Sequence, residues 1–129
     1  MTTEEKLMSK FFFCRHCNTV VGVTNGSGAG LHCCGEKMQP LKVHNSYDEG
    51  WEKHLPVVER DGDEIVVRVG KIEHPMIDTH HIDWIYVETL RGGLRQVCLD
   101  SPSARFHPVG MPVAVYAYCN LHGLWMVHL

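Results

Sequence analysis

The sequence predicts an all-β protein in two parts: a small metal-held segment over residues 1–41, then an antiparallel β-sandwich over residues 42–129. Three observations lead there. Beyond Leu41 the chain falls into many short β-rich runs separated by glycine and proline. The first forty residues hold four of the six cysteines but few side chains that could build a core, so that piece needs a metal to fold. Ten histidines are a high count for 129 residues, and all but His16 and His32 accompany the later strands.

In chain order, Glu4 to Lys10 reads as one short helical turn or a frayed tail. Thr19 to Val23 is a short β segment. Asn25 to Gly30 is a turn-rich loop, because its glycines accept positive φ at little cost. Val57 to Arg60 and Glu64 to Val69 flank Asp61-Gly62, a hairpin signal, and Ile65, Val67 and Val69 alternate with Val66 and Arg68. Ile82 to Leu90 is β-rich, and Leu94 to Leu99 follows the turn Arg91-Gly92-Gly93. Pro102, Pro108 and Pro112 mark a long loop. Val113 to Tyr118 and Leu124 to His128 complete the set.

Composition narrows the function classes. The chain is 44% hydrophobic and 21% charged, enough for one or two small domains with a modest core. A formal charge of -3 and a pI near 6.3 give no electrostatic footprint for nucleic acid, and none is expected as a partner. The longest apolar runs, such as Phe11 to Phe13, fall far below the roughly 18 residues of a spanning helix, so no membrane partner is expected either. No apolar stretch follows the charged Met1 to Lys6 as in a secretory signal, and the expected location is the cytoplasm. In that reducing compartment six cysteines point to metal ligation before disulfides.

Cys14-Arg15-His16-Cys17 lets one turn present two thiolates to one ion, and Cys33 and Cys34 supply a second pair across the glycine-rich loop. Four thiolates suit a tetrahedral zinc or iron centre. A zinc ribbon normally repeats CxxC, so the adjacent Cys33-Cys34 pair favours iron; a purely structural zinc knuckle is the competing reading. Such a closed shell suits electron transfer and leaves no position for a substrate. His16 and His32 read as surface residues.

A second constellation is scattered: His54, His74, His80-His81, and Cys119 with His122. Imidazoles suit iron, zinc, copper or nickel, and a thiolate adds a soft, electron-donating ligand. Cys119 and His122 follow the strand ending at Tyr118, where a turn can aim both inward. His80 and His81 point to opposite faces of an extended chain, and spacing alone does not choose between them. His44, His107 and His128 read as surface or hydrogen-bonded core residues, and Cys98 as a small buried one.

These motifs carry a family resemblance. CxxC, a glycine-rich loop and Cys33-Cys34-Gly35-Glu36 are followed by Glu52-Lys53-His54, His74-Pro75-Met76 with His80, and Tyr118-Cys119-Asn120-Leu121-His122-Gly123. In this order and spacing, from Phe13 to Trp125, the chain resembles the desulfoferrodoxins, two-domain superoxide reductases. The resemblance implies a desulforedoxin-like domain over residues 1–41 and a neelaredoxin-like, immunoglobulin-like β-sandwich over 42–129. It implies two mononuclear iron centres per chain. The first is held by Cys14, Cys17, Cys33 and Cys34. The second takes His54, His74, His80 and His122 in a plane, with Cys119 on the axis. The family motif thus favours His80 and puts His81 where an aromatic residue often stands; Leu124 replaces a frequent polar residue, and the segment before Phe11 is longer than usual.

The implied activity is one-electron reduction of superoxide to hydrogen peroxide without oxygen production, at the iron position left open opposite Cys119. Glu52 and Lys53 are the implied catalytic residues. Lys53 would attract the anion and order a proton-donating water, and Glu52 would occupy the open position in the resting ferric enzyme and assist product release. A rubredoxin-like or other donor would restore ferrous iron, and a homodimer is expected. A non-catalytic iron electron carrier and a structural zinc protein are the alternatives. An open position argues against the carrier, and a lone thiolate among histidines against a closed zinc shell.

Overall fold

The computed structural model describes residues 10–129, which fall into two compact units divided between Lys42 and Val43. The helical turn expected from Glu4 falls outside the described residues, except for Lys10, which opens a strand. No described helix is long and apolar enough to cross a membrane.

The first unit is built around the run of three phenylalanines. They lie in β1 (Lys10–Phe13), which pairs antiparallel with β2 (Val20–Val23) on one side and β5 (Gln39–Pro40) on the other. Proline is tolerated in β5 because that strand is an edge of the sheet. A second hairpin pairs β3 (His32–Cys33) with β4 (Glu36–Lys37). Buried apolar residues are few here: Phe11, Cys14 and Met38. So small a core cannot by itself offset the conformational entropy of about thirty ordered residues, at roughly 1–2 kcal/mol each for the backbone.

The second unit is a two-layer sandwich. One layer runs β10 (Gly92–Val97), β9 (Ile82–Thr89), β12 (Pro112–Cys119), β13 (Gly123–His128) and β6 (Val43–His44). The other runs β11 (Ser103–Phe106), β8 (Glu64–Val69) and β7 (Pro56–Asp61). A single helical turn, α1 (Trp51–His54), precedes β7. Alternating residues of both layers face each other: Ile65, Val67, Val69, Ala104 and Phe106 from one, Ile85, Val87, Val115 and Ala117 from the other, all in one buried cluster with Cys98. Arg68 on the opposite face of β8 is exposed, as period-two alternation requires.

Several details differ from the sequence expectation. The β7–β8 turn is Gly62-Asp63, because Asp61 still pairs with Glu64. Gly62 takes φ of 64° at the first turn position, where a residue with a side chain is disfavoured. The expected loop from Pro102 to Pro112 contains β11, whose Ala104 and Phe106 are buried against β8. Four residues hemmed by prolines are too short to show a clear alternation. All described strand pairs are antiparallel except β13 with β6, which run parallel.

One irregularity prepares the site. Trp84 pairs with Tyr118, but Ile82 pairs with Cys119, so Asp83 is an extra residue in β9. This β-bulge reverses the facing of β9, and Ile82 joins the same core as Ile85. Cys119 therefore ends β12 fully buried beside a bend in its neighbour.

Candidate metal centres

In the first unit two tight turns converge. After β1, the amide of Asn18 donates to the carbonyl of Cys14 (2.8 Å) and the amide of Cys14 to that of Thr19 (2.9 Å), wrapping Cys14 to Cys17 into a loop. Opposite it, Cys33 pairs with Glu36, and the two residues between them, Cys34 and Gly35, have φ of 53° and 73°. Two successive positive φ values are the signature of a type I′ hairpin. The adjacent cysteines are thus one strand end and one turn residue, and that turn brings both sulfurs to one side. A cysteine at positive φ costs about 1–2 kcal/mol, a strain the ligand geometry explains.

The four sulfurs of Cys14, Cys17, Cys33 and Cys34 lie within 4.8 Å of one another. Cys17 and Cys33 are 3.6 Å apart and Cys33 and Cys34 3.9 Å, far from disulfide distance, and all six cysteines are free. Four sulfurs at about 2.3 Å from a tetrahedral centre would be roughly 3.8 Å apart. The hydroxyl and amide of Thr19 lower Cys17 to about 6, whereas contact with the sulfurs of Cys17 and Cys14 pushes Cys33 up to about 12. A bound cation would favour the thiolate form at all four positions. Glu36 ties the two turns: Arg15 Nε donates to its carboxylate at 2.9 Å, and His16 contacts it through Nε2.

The second centre draws on four segments of the sandwich unit. In α1 the His54 Nδ1–H donates to the carbonyl of Gly50 (2.8 Å), which turns Nε2 inward. The turn can sit where it does because Gly70 has no side chain: a Cβ there would lie 2.2 Å from the carbonyl oxygen of Ile72 and 2.8 Å from that of Lys53. His74 donates from Nδ1 to the carbonyl of Pro75 (2.8 Å), again freeing Nε2. The Nε2 atoms of His74 and His80 are buried with no hydrogen-bond partner, an arrangement that costs free energy unless something binds them. His122 approaches with Nδ1, 3.2 Å from His54 Nε2 and 3.7 Å from Cys119 Sγ.

The four rings stand as the sides of a square. Centroids of neighbours are 4.8 Å apart for His54 and His74, 4.6 Å for His74 and His80, 4.9 Å for His80 and His122, and 4.8 Å for His122 and His54. Each ring is nearly perpendicular to the next, at 70° to 77°, and the His54–His80 diagonal is 6.3 Å. Donor atoms of His54, His80, Cys119 and His122 all fall within 4.8 Å of one another. His74 lies outside that tighter set and joins through its ring contacts and its unpartnered Nε2.

Electrostatics favour neutral ligands. Burial lowers His54, His80 and His74, the last to about 4, so their lone pairs are available at neutral pH. Burial raises the Cys119 thiol, and the amides of His122 and Leu121 oppose that by donating to the sulfur. Lys53 is exposed and near enough to disfavour protonation of His80. The Glu52 carboxylate is not among the gathered donor atoms.

His81 takes another path: Nδ1 bonds the Ile77 carbonyl (2.9 Å) and Nε2 the Asp83 carboxylate (2.9 Å), so both nitrogens are occupied and its pKa is raised. Sequence reasoning missed Trp125. Its indole stacks on His54 (4.8 Å, 17°) and on His44 (4.7 Å), and its Nε1–H donates to the carbonyl of His122 (3.0 Å). A tryptophan three residues after a candidate ligand was the available signal.

The donor sets fit two mononuclear iron centres, one of four thiolates and one of imidazoles with a single thiolate. The comparisons agree. The Desulfoferrodoxin family model matches residues 46–128. A desulfoferrodoxin of Syntrophotalea carbinolica is 41% identical over 94% of this chain and 95% of its own length. A desulfoferrodoxin homolog of Archaeoglobus fulgidus is 39% identical over 87% of this chain and 90% of its own. The crystal structure of the superoxide reductase from Treponema pallidum superposes with a TM-score of 0.78 and 27% identity, covering 93% of this chain and 97% of that one. With the family model spanning the sandwich, and relatives similar over nearly the whole chain, this protein belongs to the desulfoferrodoxin family.

Proposed function

We propose that this protein is a superoxide reductase, an oxidoreductase that converts superoxide to hydrogen peroxide without releasing oxygen. The observation that carries the proposal is the square of four histidine rings with Cys119 beside it. In this reading His54, His74 and His80 ligate through Nε2, His122 through Nδ1 and Cys119 through sulfur. These five donors would hold the metal and would leave room for a small exogenous ligand. Iron held by these residues would supply the one electron that, with two protons, turns superoxide into hydrogen peroxide, and a rubredoxin-like or other one-electron donor would restore the ferrous state.

The protein's own residues set the conditions. Neutral imidazoles and a single thiolate leave a ferrous site net positive, and the exposed Lys53 adds charge that attracts a small anion. Lys53 also holds a water that delivers protons, and Glu52 assists product release. The amides of Leu121 and His122 temper donation from Cys119 by bonding its sulfur. The name of the Treponema pallidum relative, a superoxide reductase, supports the same activity.

Residues 1–41 act in this reading as a desulforedoxin-like domain and residues 42–129 as the neelaredoxin-like catalytic domain of a homodimer, which light scattering on the eluting protein checks. The decisive experiment mixes reduced protein with superoxide in a stopped-flow instrument while oxygen is monitored. Rapid superoxide loss without oxygen release is expected. Stoichiometric oxygen would indicate a dismutase, and no reaction of the histidine centre an electron carrier.

A further inference from the structure

The histidine centre joins segments that are far apart in sequence, and one residue outside the donor set spans two of them. Asn120 lies between ligands Cys119 and His122 in the turn that follows β12. Its side-chain Oδ1 accepts the backbone N–H of His81 at 2.8 Å. Its Nδ2 donates to the carbonyl of Thr79 at 3.1 Å. Its own backbone N–H donates to the carbonyl of His81 at 3.1 Å. Three hydrogen bonds thus bracket His80 on both sides. We infer that Asn120 is a positioning residue that straps the His80 loop to the Cys119–His122 turn and so sets the place of one side of the imidazole square.

The residue type matches the task. Only a primary amide offers one acceptor and two donors on a short, planar arm, and the backbone around His80 presents one N–H and one carbonyl to it. The rest of the loop is held from the other direction, through the His81 ring on Ile77 and Asp83 and through the backbone pair of Ile77 with His80. The His80 ring has no such restraint: its Nε2 is buried without a partner. The ring's position therefore depends on the backbone, which Ile77 holds at His80 itself and Asn120 holds at Thr79 and His81 on either side. Asn120 is exposed, so its loss leaves no cavity and touches no core residue.

The inference rests on the reading of His80, Cys119 and His122 as ligands of one iron, and the four-cysteine centre of the same chain provides the control. The test compares wild type with Asn120→Ala. Holoprotein is exposed to a ferrous chelator, and iron loss is followed separately at each centre through its own absorption bands. Outer-shell partners of metal ligands typically change affinity 10–100-fold. Iron loss from the histidine centre is expected to accelerate by about tenfold or more, with the four-cysteine bands leaving at the wild-type rate. The thiolate-to-iron absorption of the histidine centre should broaden or shift, and amide hydrogen exchange at His81 should speed up.

An unchanged rate of iron loss from the histidine centre, or equal acceleration at both centres, overturns the proposal. Should Asn120→Ala not fold, Asn120→Asp keeps the acceptor for His81 and loses the donor to Thr79, and is read in the same way. If wild-type holoprotein shows no thiolate-to-iron band from the histidine centre and does not react with superoxide, the functional reading has failed; a normal wild type with an indifferent variant fails Asn120 alone.

Discussion

The two centres are built in opposite ways. The four-cysteine centre takes all its donors from two turns within a stretch of about twenty residues, and its unit has few buried apolar side chains. The histidine centre takes donors from segments between His54 and His122, at one end of a sandwich whose core includes Cys119 but none of the four histidines. In the first unit the metal stands in for the missing core. In the second a finished fold prepares a metal site, and holds neutral imidazoles with unpartnered nitrogens in place.

Metal removal should divide the units most sharply. Treating reduced protein with a strong chelator is expected to unfold residues 10–42 while the β8, β9 and β12 amides stay protected from hydrogen exchange. Structural metal in small domains contributes on the order of 10 kcal/mol, more than this core replaces. Retention of the β1–β2 sheet without metal would erase the contrast between the units.

Next in size is Cys119→Ser. It removes the only thiolate of the histidine centre, and superoxide turnover should fall by about 100-fold or more, beyond what outer-shell changes give. The four-cysteine absorption should not change. Normal turnover would show that the thiolate is dispensable.

A smaller effect is expected from pH, in metal-free protein. Burial lowers His74 to about 4 from an ordinary 6.5, so between those values the unfolded chain binds the proton and the folded one does not. Folded-state stability should therefore be full above pH 6.5, decline as pH falls toward 4, and level off below it. Denaturant melts of the sandwich unit across this range check the slope, and His74→Gln should make it shallower, leaving the part that His54 and His80 contribute.

The smallest change belongs to Glu36→Gln. Its pairing with Arg15 and His16 crosses between the two cysteine turns but is solvent-exposed, so little stability is at stake. Thermal melts followed at the four-cysteine bands should shift by a few degrees at most, and less in high salt. A large shift would make this contact more than an exposed ion pair.

Reading the sequence succeeded where structure is local. The CxxC and the Cys33-Cys34 pair announced a four-sulfur centre because each pair sits in one turn. Alternation along Ile65, Val67 and Val69 announced a strand with one buried face. It fell short where partners are distant. Short β11 and parallel β6 exist only because a neighbouring strand pairs with them. The bulge at Asp83 shows only in the register of β9 against β12. Asn120 sat inside the Cys119–His122 motif and Trp125 just beyond it, neither with a role legible from residue type, and the structure gives them their partners.

Sequence by itself thus determined the kind of chemistry: the donor types, their order along the chain, and a β-rich scaffold with turns at glycines. The tertiary structure decided which nitrogen of each histidine faces inward. It settled which of the neighbours His80 and His81 stands in the square, by engaging both nitrogens of His81 elsewhere. A side chain's identity fixes what it can bind, whereas its direction depends on backbone hydrogen bonds to residues many positions away.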